Sequence, residues 1–156
     1  MPSDILGCLG DGSDHRHWEG FRNRCLAQHT HARALINAKS VGFTAAGASG
    51  VYLKTLFEKL NISDELKPKL KLLPGAAGEA VAKGEVEIGL TQISEILPYT
   101  DAELVGPLPS HIQSYTYFSA AASGGSKEAA AAKAFIKFLA NPAALAVIKA
   151  KGMEPG

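Results

Sequence analysis

The sequence has few of the residues that mark a disulfide-stabilised, membrane-spanning or nucleic-acid-binding protein. Its two cysteines, Cys8 and Cys25, allow at most one disulfide and do not indicate a redox compartment. No apolar run approaches the roughly 20 residues that a membrane-spanning helix needs. The formal net charge is +1, which excludes a strongly basic nucleic-acid footprint or an acidic tail. The first residues also lack the pattern of a secretion signal, so the chain as it stands is expected to be cytoplasmic.

Arginine is absent after Arg33, and the composition of the chain changes near this residue. The first 33 residues hold all four arginines, both cysteines, the only tryptophan and four of the five histidines. Beyond them, lysine is the only basic residue apart from His111. The overall composition, 46% hydrophobic and 20% charged, is ordinary for a globular protein. We therefore predict an atypical, poorly ordered leader over residues 1–31 and a globular domain over residues 32–156.

The leader contains residue types that bind zinc. Cys25, His29 and His31, together with His15 or His17, could supply four ligands of suitable softness. Their spacing matches no standard zinc motif, because there is no Cys-x-x-Cys pair. The leader also has little hydrophobic periodicity, and disorder concentrates at chain termini. We therefore favour a poorly ordered segment without a metal, and no cofactor is predicted for the chain.

From residue 32 onward, β-type runs alternate with helical patterns. Leu53, Leu56, Phe57 and Leu60 follow the i, i+3, i+4, i+7 spacing of an amphipathic helix, which is expected to stop at Asn61. Strands separated by helices predict an α/β fold with a mostly parallel sheet flanked by helices. The predicted strands are residues 40–44, 69–73, 86–90 and 115–121; the other predicted helices include 75–84, 126–140 and 143–151, and residues 102–110 are predicted as a loop with two prolines.

Small and polar residues follow each of the first three predicted strands. After Thr44 the chain reads Ala-Ala-Gly-Ala-Ser-Gly, so the backbone N–H groups of residues 47–51 can approach an anion closely at a helix start. "LPGAAGEA" and "LTQISE" follow the next two strands. Because ligands collect beyond the carboxyl ends of parallel strands, these loops predict an anion site with neutral hydrogen-bond donors. The alternative is that the small residues serve close packing and that Ser49 caps the helix.

Three segments resemble a known family. They are "AKSVGFTAAGASGVYLKTLFEKLNI", "VAKGEVEIGLTQISEIL" and "EAAAAKAFIKFLANPAALAVIKAKGMEP". In this order they are similar to the second half of type II periplasmic solute-binding proteins of the molybdate-binding kind, and the likeness covers about four-fifths of the chain.

The resemblance implies a ligand-binding protein and not an enzyme. It implies two lobes that close on a small anion, periplasmic location and delivery of the ligand to an ABC permease. The oxyanion would be bound by backbone N–H groups, hydroxyls and helix dipoles. With Gly47 from the loop itself, the expected ligand-binding residues are Gly47, Ala48, Ser49, Gly50, Gln92 and Ser94.

The chain departs from this family at its N-terminal end. The family's first lobe precedes the matching segment, and residues 1–31 do not resemble it, so we expect a truncated form with one lobe and a C-terminal helix pair. The apolar faces of that pair would lack their usual partner. We therefore predict a homo-oligomer, with exchange of segments between copies as one route. Those faces carry Phe135, Phe138 and Leu139 on one helix and Leu145 and Ile148 on the other.

Two other functions stay open. Some relatives of the family resemble isomerases of small tricarboxylates, which need a general base near a carbon acid. Glu79, Glu95 and His111 are the candidates, but tricarboxylates favour arginine clamps, and no arginine follows Arg33. A structural remnant that binds nothing is the third hypothesis.

Overall fold

A computed structural model of the protein describes residues 2–11 and 30–155, with side-chain positions from residue 32 onward. Six strands and six α-helices make up these residues, with short 3₁₀ turns at Ile93–Glu95 and Ser110–Ile112. In chain order they are β1 (Pro2–Asp11), α1 (Thr30–Asn37), β2 (Val41–Thr44), α2 (Ala48–Lys59), α3 (Ser63–Leu66), β3 (Leu70–Leu73), α4 (Ala77–Ala82), β4 (Ile88–Gln92), β5 (Ala102–Pro107), β6 (Tyr115–Tyr117), α5 (Ala129–Leu139) and α6 (Pro142–Ala150).

The six strands form one sheet, in which β2, β3 and β4 run parallel to one another. β2 lies between β3 and β4, and Val41 pairs with Leu70 on one side and with Ile88 on the other. β1 runs antiparallel between β4 and β5, and β6 also pairs with β1. The predicted α/β class, with parallel strands flanked by helices, is confirmed. Because the parallel strands end at the same edge, their following loops meet there.

The main core lies between the sheet and α2. Leu53, Leu56 and Phe57 are buried against the strands, so the predicted helical stripe packs as expected. The ring of Phe57 meets that of Phe43 from β2 edge-to-face, with centroids 6.0 Å apart. The segment ends at Asn61, which has a φ of 53°. Asparagine tolerates this left-handed conformation better than most residues, which explains why the helical pattern stops there.

A second, smaller core lies around α4. Val81 of that helix packs with Val86 and Ile96, and all three are buried. α4 thereby connects the end of β3 to the segment that follows β4. This packing brings two of the three polar loops against each other.

Part of the predicted leader is a strand. β1 occupies residues 2–11, and its backbone fills the space between β4 and β5, whose hydrogen-bonding groups would otherwise lack strand partners on those sides. Residues 12–29 lie outside the described residues, as do the side chains of the candidate zinc ligands. The division of the chain near residue 31 stays a prediction.

The prediction of a loop over residues 102–110 is wrong for its first part, which forms β5. The strand accommodates proline because Pro107 is its last residue. The register against β1 shifts between Cys8 and Leu9, where Gly106 adopts a φ of 145°. An irregular strand of this kind has no clean alternation for a sequence pattern to detect.

α5 and α6 form a separate layer at the C-terminal end. Asn141 caps α6 through its side chain, and Pro142 occupies the first turn. Phe135, Phe138 and Val147 remain exposed on these two helices. Among the described residues no single helix is long and apolar enough to cross a membrane, although the two helices together, bent by 63°, meet the requirements of length and composition.

Candidate functional site

The loops after β2, β3 and β4 enclose one cavity of about 300 Å³. Each loop contributes at least two residues, so the cavity is built where the carboxyl ends of the three parallel strands meet. Its lining consists of Thr44, Gly47, Ser49, Gly75, Ala76, Gln92, Glu95, Pro98 and Tyr99.

The first loop brings the start of α2 to the cavity. Gly47 precedes the helix in an extended conformation, and no side chain caps the helix start. Ser49 is buried in the first turn and lines the cavity, so it is not the helix cap. The free N–H groups and the dipole of a 12-residue helix therefore begin at the cavity wall.

Gly50 serves packing within the same loop. A Cβ atom at this position would lie 2.1 Å from the carbonyl oxygen of Thr44, which no real side chain tolerates. The absence of a side chain therefore lets α2 lie directly against the end of β2. Both interpretations of the small-residue loop apply, but to different residues: Gly50 allows close packing, whereas Gly47 and Ser49 line the cavity.

The second loop is connected to the first by a hydrogen bond. The Thr44 hydroxyl donates to the carbonyl oxygen of Gly75 at 2.7 Å. Ala76 follows in an extended conformation and precedes α4. This bond connects the ends of β2 and β3, and Thr44, Gly75 and Ala76 form the cavity wall there.

The third strand end supplies the polar side chains. The Nε2 atom of Gln92 is buried and has no hydrogen-bond partner among the described residues. An unpartnered buried amide is costly, by about 1–3 kcal/mol, and such groups are normally satisfied. Gln92 also lines the cavity, so this unsatisfied side chain belongs to the cavity wall.

Glu95 adds a carboxylate to the same wall. The hydroxyl of Thr91, a residue only 1% exposed, donates a hydrogen bond to Glu95 Oε2. Among the side chains that the structure describes, no basic group lies within ion-pair distance of Glu95. The cavity therefore combines neutral donors with one carboxylate.

Tyr99 and Pro98 form the apolar side of the cavity. Tyr99 packs so tightly against α4 that a Cβ atom at Gly78 would lie 2.5 Å from its ring. Gly78 thus lets α4 approach the segment after β4, which closes the cavity between the second and third loops.

The structure brings together three of the six predicted ligand residues. Gly47, Ser49 and Gln92 line the cavity. Ala48 and Gly50 lie beside it without lining it, and so does Ser94 in the turn after β4. Thr44, Tyr99 and Pro98 are lining residues that the sequence did not predict, and Glu95 was predicted only as a possible base.

The other two candidate bases lie elsewhere. Glu79 forms an ion pair with Lys83 at 2.6 Å beside a neighbouring cavity of about 200 Å³. The hydrogen bond from Lys83 to Glu79 raises the pKa of this lysine. His111 is exposed in the turn after β5 and lines neither cavity. Among residues whose side chains are described, no group of three potential metal ligands comes together.

Comparison with known proteins relates this arrangement to one family. The family model of the bacterial extracellular solute-binding proteins matches residues 25–154. An aconitate isomerase from a Pseudomonas species is 32% identical over 125 residues, which is 79% of this chain and 47% of that protein.

Two solved structures have a similar fold. The periplasmic molybdate-binding protein of Azotobacter vinelandii aligns with a TM-score of 0.66 at 16% identity, over 99% of this chain and 66% of that chain. Peb3 from Campylobacter jejuni also aligns with a TM-score of 0.66, at 17% identity, over 100% of this chain and 67% of that chain. The chain spans about half the length of the curated relative and about two thirds of these structures.

Proposed function

Because this chain belongs to the bacterial extracellular solute-binding proteins, we propose that its cavity binds a small anionic solute for an ABC-type uptake system. The observation that carries this proposal is Gln92, a residue of the cavity wall whose buried amide has no described partner. A bound anion would satisfy that amide.

Neutral groups are sufficient for such a ligand. The N-terminus of α2 carries roughly half a positive charge, and its free N–H groups can donate to oxygen atoms. The Ser49 hydroxyl lines the cavity near these groups. Among the lining residues that the structure describes there is no arginine or lysine, so hydrogen bonding to them would contribute more to the affinity than ion pairing.

The relatives support a small anion as the ligand class. One relative is a molybdate-binding protein, one is an aconitate isomerase, and Peb3 has been solved with L-phospholactate bound. Each of these names refers to a compact oxyanion or organic acid. An extracellular or periplasmic location and an ABC permease partner are part of the same proposal.

Thermal unfolding with and without candidate ligands tests the proposal. Molybdate, tungstate, sulfate, phosphate, citrate and aconitate would each be added at fixed ionic strength. A ligand at 100 times its dissociation constant adds about 2.7 kcal/mol to the free energy of unfolding. This corresponds to a rise of several degrees in Tm. If none of these anions raises Tm, the proposal fails for this chain.

A pair of glutamine variants tests whether the ligand binds at Gln92. Gln92→Leu removes the unpartnered donor and should weaken binding about tenfold, since one hydrogen bond is involved. Gln113→Leu is the matched control, because Gln113 also has a buried amide atom without a described partner but does not line the cavity. Equal losses of affinity in both variants would contradict a site at Gln92.

An isomerase of small tricarboxylates is the second candidate function. Its support is that Glu95, alone among the three candidate bases, lines the cavity, together with the 32% identity to the aconitate isomerase. Incubation with aconitate, followed by proton NMR, would detect interconversion of its isomers. If Glu95 is the base, Glu95→Gln abolishes turnover while binding persists. Absence of interconversion in the unaltered protein eliminates this candidate.

Self-association through the C-terminal helices is also part of the proposal. On α5 the exposed residues include Phe135 and Phe138, and on α6 they include Ala143 and Ala146. In a two-fold dimer the phenylalanines of each copy could pack on the alanines of the other, with or without exchange of the helix pair. Light scattering during gel filtration would test this, and Phe138→Lys should shift the protein to monomer. A wild-type protein that is monomeric at high concentration would contradict it.

A further inference from the structure

Glu95 is an unexpected residue in a cavity for anions. This residue shares the wall with the uncharged side chains of Gln92 and Ser49 and with the start of α2, which carries only a partial positive charge. Glu95 is exposed and no described basic side chain pairs with it, so its negative charge lies at the cavity wall without a counter-ion. An anion that offers only oxygen acceptors would be repelled there and could make no hydrogen bond to it.

The Thr91 hydroxyl binds one oxygen of the Glu95 carboxylate and leaves the other for a ligand. Thr91 is buried and donates to one carboxylate oxygen, Oε2. The other oxygen, Oε1, has no described donor and can accept a hydrogen bond from a ligand. Gln92 and Glu95 are three residues apart around one 3₁₀ turn, so a donor and an acceptor come from the same rigid segment.

We infer that Glu95 makes this cavity selective for small anions that carry their own hydrogen-bond donor. Hydroxycarboxylates and hydrogen phosphates share this chemistry, whereas simple carboxylates, sulfate and molybdate at neutral pH lack the donor. A hydroxyl that donates to a carboxylate forms a short, charge-assisted bond, which is stronger than a neutral one. The inference rests on the proposed anion binding and adds the class of ligand.

Matched ligand pairs measured by calorimetry at pH 7.5 test this selectivity. Citrate differs from tricarballylate, and malate from succinate, by one hydroxyl, while hydrogen phosphate and sulfate differ by one donor at nearly equal charge. The unaltered protein should bind the donor-bearing member of a pair about tenfold or more tightly, the usual effect of a hydrogen bond to a charged group. A preference within the carboxylate pairs would identify a ligand hydroxyl as the donor, whereas a preference for hydrogen phosphate over sulfate would identify a protonated phosphate oxygen.

Two glutamate variants complete the test. Glu95→Gln retains the shape of the side chain but can both donate and accept, so the preference within a pair should fall to about twofold or less. Glu79→Gln is the control, because Glu79 pairs with Lys83 outside this cavity. Its preference should equal that of the unaltered protein.

The outcomes separate the two proposals. If no ligand of any pair binds, both the anion site and its selectivity are wrong. If both members of each pair bind equally, and Glu95→Gln changes nothing, anion binding stands and the selectivity is overturned. If Glu95→Gln strengthens all ligands by the same factor, the carboxylate only repels anions, and the selectivity is again overturned.

Discussion

The two parts of the chain, residues 34–108 and residues 109–155, differ in how they are held together. Every buried hydrophobic side chain that the structure describes lies between Ala34 and Leu108. Residues 109–155 include two helices but no buried side chain, although they contain three phenylalanines. The first part is stabilised by its own hydrophobic core. The second part has no such core, so its helices depend on local helix propensity and on contacts with neighbouring surfaces.

The two parts nevertheless meet at the candidate site. Gly152, after α6, has a φ of 81°, and a Cβ atom there would lie 2.5 Å from Ile93 Cγ2. Ile93 directly follows Gln92 in the chain. The segment after α6 therefore packs on the turn that follows Gln92.

The largest expected effect comes from a matched pair of phenylalanines. Phe43 is 2% exposed and packs on Phe57, whereas Phe138 is 57% exposed. Phe43→Ala should lower the free energy of unfolding by about 3–5 kcal/mol, because it leaves a cavity in the core. Phe138→Ala should change it by less than about 1 kcal/mol. Urea unfolding at low protein concentration measures both, and equal losses would mean that the C-terminal layer is buried in solution.

Two glycines give the next largest contrast. Gly50→Ala would force a Cβ atom against the Thr44 carbonyl, so the start of α2 must move, at a cost of about 1–3 kcal/mol. Gly125→Ala meets no atom within 4 Å and should be neutral or slightly stabilising. Urea unfolding compares the two variants. A neutral Gly50→Ala would contradict the close approach of α2 to β2.

Sequence patterns predicted those features that depend on neighbouring residues in the chain. The spacing of Leu53, Leu56 and Phe57 was sufficient to predict the buried face of α2, because helical periodicity is local. The convergence of three loops followed from the rule that parallel strands end at one edge.

Features that depend on distances across the fold were not predicted. The residue at position 78 must be glycine because of the ring of Tyr99, which lies much further along the chain. Glu95 enters the cavity because a 3₁₀ turn follows Gln92, and a pattern of helices and strands does not contain this information. β1 was not predicted because its apolar residues occur in two adjacent pairs, each followed by a glycine, and do not alternate with polar residues.

A smaller effect is expected at the start of α6. The Asn141 side chain accepts a hydrogen bond from the N–H of Ala144 at 2.8 Å, and Asn141→Ala should cost this helix about 1 kcal/mol. Because the helix has no buried face, the loss should appear as faster amide hydrogen exchange in α6 and not as a lower global stability. Amide hydrogen exchange in β4, which is slower than in α6, should not change. A fall in global stability by the same amount would mean that α6 unfolds together with residues 34–108.

The last effect, of similar size, tests the border between the two parts. The Tyr52 hydroxyl of α2 donates to the carbonyl oxygen of Ile112 at 2.5 Å, and burial raises the pKa of this tyrosine. Tyr52→Phe should therefore cost about 1 kcal/mol at neutral pH. Because the folded pKa lies above the unfolded value of 10.0, the contribution of Tyr52 is fully present below that pH and is lost as pH rises through the folded pKa. Urea unfolding of both proteins between pH 8 and pH 11 should thus show the wild type losing more stability than Tyr52→Phe above pH 10. Parallel pH profiles would mean that the Tyr52 hydroxyl is solvated and does not connect α2 to the turn at Ile112.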